Sequence, residues 1–315
     1  MKLSGKRIIS MLCCATFILG MSSPAMAMPD EAHMQKVLEK DKTYEGFLQN
    51  DDMLTYEEIL QLSGATVQNE IEILYDLQSK PISELREMDI TEDEIQMLKT
   101  KSVKEVVLDK LRELPVQELQ DRGLSNVMID NIKKGNYDLV DEKDVERASS
   151  KLAFAIASPS RSGTNCNYSV YWHWDREPVA TFEDTIVAGI SDGYNVAGSK
   201  CTAKLTYKDR AHKLSDTTDR IPASWVTGSI CRFDIPMIQD NSDINIIRYC
   251  QAGKAFVSTY GSVSPNWDLQ ASAEYIHSYV PEGFNLTIGL NAGIINVGIS
   301  GSAKSEGKSI YYIHK

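Results

Sequence analysis

The chain has 315 residues, a formal net charge of −11, 42% hydrophobic and 24% charged residues, and six cysteines. This excludes collagen-like and disordered chains, and the length admits two ordinary domains or one large one. The acid excess lies in the first half, with 29 Asp and Glu against 15 Lys and Arg over residues 28–150, and 15 against 15 over 151–315; phosphates would be repelled there, which disfavours nucleic acid and anionic membranes as its partners.

Residues 1–27 read as a cleavable secretory signal peptide. Lys2, Lys6 and Arg7 are followed by the apolar run Ile8–Met21, by Pro24, and by Ala25-Met26-Ala27, a small-x-small cleavage pattern. The apolar run is too short and interrupted for a spanning helix. The chain is therefore expected to be secreted or held at the extracellular surface, cut after Ala27.

Residues 28–150 predict an acidic all-α domain, a helical repeat or bundle. Apolar residues recur at three and four, as in Ile71, Leu74, Leu77 and in Val103, Val106, Val107, Leu111. Thr55-x-x-Glu58, Thr91-x-x-Glu94 and Ser102-x-x-Glu105 are capping boxes. At an offset of 34, residues 74–98 match 108–132, including Leu77/Leu111, Pro81/Pro115, Leu85/Leu119 and Ile95/Ile129. The period equals that of tetratricopeptide repeats, but the small and aromatic residues of that motif are missing. Residues 151–165, with Ser158, Pro159, Ser160, Ser162, Gly163 and Thr164, predict a Ser-rich linker.

Residues 166–315 predict an all-β domain, an antiparallel sandwich or small barrel. Tyr168, Val170, Trp172 and Trp174 alternate with Ser169, Tyr171, His173 and Asp175; Cys201 to Lys208, Cys231 to Ile235 and Leu269 to Tyr275 alternate likewise. The fold class expected is thus α+β as two separate domains. Cys166, Cys201, Cys231 and Cys250 are an even set in an exported chain and predict two disulfides, with three pairings open.

Chemistry-bearing candidates are few. Tyr171, His173 and Asp175 share the face opposite the two tryptophans, which makes them the candidate binding residues. A metal site there needs ligands from elsewhere, and none is assigned; no cofactor is expected either. Gly189-Ile190-Ser191-Asp192-Gly193 fits a nucleophile elbow, but an elbow demands a helix directly after the serine, and Tyr194-Asn195-Val196 reads as a strand. Residues 286–303 carry no charge. Leu286, Ile288, Leu290, Ile295, Val297 and Ile299 alternate with Thr, Gly, Asn and Ser, the pattern of a membrane-facing β-hairpin.

The sequence therefore predicts an exported, non-catalytic binding protein whose partner is another protein or a cell-surface ligand, not nucleic acid. Two other readings are a membrane-active protein using 286–303 and a serine hydrolase using Ser191. Sequencing the N-terminus of protein recovered from the medium of a secreting host is expected to give Met28; a chain retained in the cytoplasm with Met1 would contradict the export reading.

Overall fold

The computed structural model describes residues 30–313 apart from 88–91, 179–182, 192, 212–213, 242–245, 262–268, 279–284, 292–293 and 301–302. The first part is helical: α1 (Glu31–Lys40), α2 (Tyr44–Gln49) and α3 (Tyr56–Leu60), then a short strand β1 (Thr66–Asn69). There follow α4 (Glu70–Ser79), α5 (Ile82–Glu87), α6 (Glu92–Thr100), α7 (Val103–Glu113), α8 (Val116–Asp121), α9 (Asn126–Lys134) and α10 (Glu142–Ala148). Local chemistry sets the helix starts. Thr55 with Glu58 and Ser102 with Glu105 form reciprocal capping boxes on α3 and α7, satisfying otherwise free N–H groups. The third predicted box includes Thr91, which lies outside the described residues.

The remaining strands are β2 (Lys151–Ser162), β3 (Asn165–Trp174), β4 (Glu183–Ile190), β5 (Tyr194–Val196), β6 (Thr202–Asp209), β7 (Thr217–Pro222), β8 (Trp225–Thr227), β9 (Ile230–Pro236), β10 (Ile238–Asn241), β11 (Ile246–Gly261), β12 (Leu269–Ser278), β13 (Asn285–Asn291), β14 (Ile294–Ser300) and β15 (Ala303–Ile313). One sheet has the order β1-β2-β3-β11-β6-β7, with β5 and β10 also pairing with β11. The second has the order β15-β12-β4-β9-β8, and β13 and β14 pair as a separate two-stranded sheet. The two larger sheets enclose the main core, which includes Phe154, Tyr168, Trp172, Trp174, Ile186, Leu205, Phe233, Val257 and Tyr275. Gly253 on β11 sits opposite Trp172 on β3. A Cβ there would come within 2.2 Å of the indole, so the bare backbone is what lets the ring lie across its neighbour.

Three expectations are corrected. First, the helices and strands are not separate domains. α1 and α3 pack on the outer face of the first sheet, where Met34, Val37, Leu54, Tyr56 and Ile59 cluster with Ala153, Ala155, Ala157 and Tyr171. β1 also joins that sheet along β2. The stretch expected as a linker is occupied by β2: Leu152, Phe154 and Ile156 enter the core while the alternating alanines meet the helices. A strand covered on both faces loses the polar alternation that marks a half-exposed one.

Second, the helical repeat is not shown. Leu77, Leu85, Ile95 and Leu98 form a small cluster of their own, whereas Ile71 and Leu74 join the larger core of α7–α10. The matching positions are thus packed unequally.

Third, no disulfide is present among the four cysteines, which are all free and buried. They fill interior space as small soft side chains. Cys201 Sγ donates to the Ala197 carbonyl (3.5 Å), and interaction between the Cys201 and Cys231 thiols holds Cys201 below the usual thiol range and Cys231 above it. Burial pushes Cys166 up to about 11.

Buried charges fasten the helical layer to the sheet. Lys254 on β11 donates to both Asp41 carboxylate oxygens (3.0 and 2.9 Å) and to the Asp52 carbonyl (3.0 Å). Both side chains of this pair are fully buried. Lys204 on β6 donates to the carbonyls of Leu48 (2.9 Å) and Asn50 (3.0 Å) and to Asp51 (2.6 Å), placing a cation at the C-terminus of α2, where the helix dipole favours one.

Breaking a buried pair leaves an uncompensated charge, so Asp41→Asn is expected to cost about 3–5 kcal/mol. The measurement is the urea unfolding midpoint. The double variant Asp41→Leu, Lys254→Met is expected to recover most of the loss.

Candidate functional site

The sequence-predicted binding residues lie beneath the helices. Tyr171 and His173 do face away from the tryptophans, but their outward direction leads into the helical layer. The Tyr171 hydroxyl donates to Asp41 (3.0 Å). His173 Nδ1 lies 3.0 Å from the Leu54 carbonyl and donates to it. Asp175 follows β3 and accepts from the Lys151 N–H (2.7 Å). The structure places Tyr171 and His173 at the seam between layers, while Asp175 bonds the neighbouring strand β2 of the same sheet.

Ser191 follows β4, and its hydroxyl accepts from the Gln270 N–H (3.2 Å). Strand β5 comes next, not a helix; Asp192 lies outside the described residues. Among the described residues, no group of three His, Cys, Asp or Glu is arranged to hold a metal.

The recessed surface of interest lies beside the same seam. A groove of about 230 Å³ runs between α1, the segment after α3, and β2, and includes Gln35, Leu38, Lys42, Leu62, Ser63 and Ser158 in its lining. Its floor comes from a β-bulge. The register between β2 and β3 shifts between Ala157 and Ser160, so β2 carries an extra residue. Ser158 takes φ +54° there, the only non-glycine with positive φ among the described residues. Such a conformation costs about 1–3 kcal/mol for a side-chain-bearing residue. Pro159, which has no N–H to give to a ladder, is suited to a bulge.

Local bonds hold the strained serine. Ser158 Oγ donates to the Leu38 carbonyl near the end of α1 (3.0 Å) and lies 3.2 Å from the Tyr171 hydroxyl. Tyr171 in turn reaches Asp41 and hence Lys254. The groove is therefore the open end of a polar chain that runs under the helices. Its rim carries the Glu39–Lys42 ion pair, exposed to solvent. Apolar Leu38 and Leu62 sit beside amide, hydroxyl and ammonium groups, a mixture suited to a protruding side chain or one small ring.

A second buried cluster escaped the sequence reading. His277 on β12 holds Nδ1 2.8 Å from Asp184 on β4 and Nε2 3.5 Å from Glu70 at the start of α4. The Tyr275 hydroxyl also donates to Asp184 (2.6 Å). Glu70 accepts from Ser150, just before β2. These residues come from distant points of the chain, and no spacing signal links them.

The fold defines a β-sandwich with a helical layer across one sheet and a groove at their seam. No family model matches the chain, and no curated protein matches it. Solved structures resemble part of it. A collagen-binding domain from a Staphylococcus aureus adhesin is 8% identical with TM-score 0.29, over 51% of this chain and 97% of that one. The collagen-binding domain of the Erysipelothrix rhusiopathiae surface protein RspB is 8% identical with TM-score 0.26, over 51% and 48%. The Clostridium perfringens NetB toxin in its membrane-inserted form is 8% identical with TM-score 0.20, over 53% and 85%. At these scores the likeness carries no argument about function.

The seam has a pH consequence. Burial holds the His173 imidazole below the usual histidine range. The unfolded chain therefore takes up a proton near pH 6.5 that the folded chain resists. Stability is full above that value and falls as the pH drops toward the folded pKa. His173→Asn keeps a donor for Leu54 without the charge. Unfolding midpoints measured from pH 7.5 down to 5.5 are expected to fall less steeply for the variant than for the parent; parallel curves would refute the assignment.

Proposed function

We propose that the chain is an exported binding protein that works by recognition rather than catalysis, with the groove between α1 and the β2 bulge as its ligand site. The observation that carries this reading is the strained Ser158 at the floor of a recessed, partly apolar surface. Strain of this size persists only where surrounding bonds over-determine it, and it clusters at sites where backbone shape matters to a ligand. The bonds to Leu38 and Tyr171 supply that over-determination. They also fix the shape of the groove, because Leu38 of α1 and Ser158 of the bulge both line it.

The size of the groove points to a small epitope, such as one side chain of a peptide or one sugar ring, on a larger cell-surface or matrix molecule. Catalysis by Ser191 is the weaker alternative, since its hydroxyl is engaged by a backbone N–H and a strand follows it.

The test is a binding screen of the purified chain on arrayed peptides, glycans and immobilised collagen, repeated with Gln35→Trp and Ser63→Trp. Both positions line the groove and are exposed, so an indole there fills it without disturbing the core. Any surface retained by the parent is expected to lose at least tenfold in affinity with each variant, about 1.4 kcal/mol. Binding that survives a filled groove would place the ligand elsewhere.

A further inference from the structure

The strand pair β13–β14 lies in a long uncharged stretch of the chain. Residues 285–303 contain no Asp, Glu, Lys, Arg or His, in a chain of which 24% is charged. The register pairs Leu286 with Ile299, Ile288 with Val297 and Leu290 with Ile295. Side chains alternate along a strand, so these six positions share one face of the hairpin. The opposite face pairs Asn285 with Ser300, Thr287 with Gly298 and Gly289 with Asn296. One face is wholly branched-apolar; the other is small or polar except for Ile294, which pairs with Asn291. The sequence suggests this division, and the register establishes it.

The hairpin is also a separable unit. Among the described residues, β13 and β14 pair with each other and with neither larger sheet. β14 lies beside β12, β4 and β15. On that sheet Val187, Ser272 and Ile276 alternate with the core-facing residues, yet all three are fully buried, as the cover of the adjacent hairpin explains. An isolated two-stranded hairpin is marginal in water, so this position gives it a resting place that no ladder hydrogen bonds secure.

We infer that β13–β14 is a stowed membrane-inserting hairpin whose partner is the hydrocarbon interior of a lipid bilayer. The inference shares only the export of the chain with the groove reading and does not depend on the groove. Seven residues reach about 24 Å, which at the usual tilt of about 40° covers about 18 Å of an apolar band about 25 Å tall, a shortfall that local thinning of the bilayer accommodates. Apolar-out and Gly/Asn/Thr/Ser-in is the pattern of such barrels. One hairpin leaves two unpaired edges, which hydrocarbon does not tolerate. Insertion therefore requires several copies, each giving two strands, with about four needed for the smallest closed barrel.

The test uses the purified chain without its export signal and dye-loaded phosphatidylcholine vesicles, chosen because the acidic helical part disfavours anionic lipid. The parent is expected to release the dye, and Ile288→Asp with Val297→Asp to reduce release at least tenfold. Should that variant fold poorly, Ile288→Cys and Gly289→Cys, each labelled at the added thiol with an environment-sensitive fluorophore while the four native cysteines stay buried, give the same answer. On adding vesicles, emission is expected to rise at 288 and to change little at 289. No release by the parent, or equal emission changes at both positions, overturns the inference and leaves the hairpin as a fixed cover of the second sheet. Binding on the arrays is read separately, so failure of one reading does not stand for failure of the other.

Discussion

The arrangement of the layers depends on one buried ion pair. Lys254 lies on the longest strand of the first sheet, and Asp41 follows the last turn of α1. Taking both charges out of water is expensive, and their attraction offsets that cost only if every remaining hydrogen-bonding group is also satisfied. Here the ammonium uses its three donors on the two oxygens of Asp41 and the Asp52 carbonyl. The carboxylate also accepts from Asn50 and Tyr171, and the Phe47 ring lies 5.1 Å from the ammonium. Burial still holds Lys254 below the usual lysine range. The pair therefore works by admitting one position of the helices over the sheet, since a shift by one turn would strand both charges.

Two further polar nodes fasten other parts of the helical region. Arg122, after α8, donates to Glu118, to the Ala148 carbonyl (2.7 Å) and to the Glu177 carbonyl (2.6 Å). Glu177 in turn takes both contacts of Arg210. The His277 cluster ties α4 to the second sheet through Glu70 and Asp184. Each node lies between layers, away from the apolar centre. Dispersion and apolar burial hold the layers together without fixing direction; the directional bonds of these nodes set the alignment.

That alignment connects the architecture to both functional readings. The groove exists because the end of α1 is held beside the bulge of β2, and the strained Ser158 bridges them. The hairpin stands in the opposite condition, packed beside the second sheet with a ladder that is only its own. Elements of low local stability are the ones that move in function. The proposed recognition surface and the proposed inserting element thus lie on different parts of the fold, the groove beside β2 and the hairpin beside β4 and β12.

The sequence by itself determined the local elements. Capping boxes at Thr55 and Ser102, the alternation of β3, β6, β9 and β12, and the division of β13–β14 into two faces follow from neighbours in the chain. It also determined which way Tyr171, His173, Cys201 and Cys231 point, because parity within a strand is a local property. What those directions lead to was decided only by the tertiary structure. Whether an outward histidine meets water or a helix, and whether inward thiols bridge or merely pack, depends on elements far away in sequence. The contact of Asp41 with Lys254 spans 213 positions, and that of Asp184 with His277 spans 93. Composition misread β2 as a linker for the same reason: its serines and proline mark loops locally, whereas Ala153, Ala155 and Ala157 are covered by a helical layer distant in sequence. Periodicity records how a chain bends on itself over a few residues; burial by a distant layer leaves no local trace.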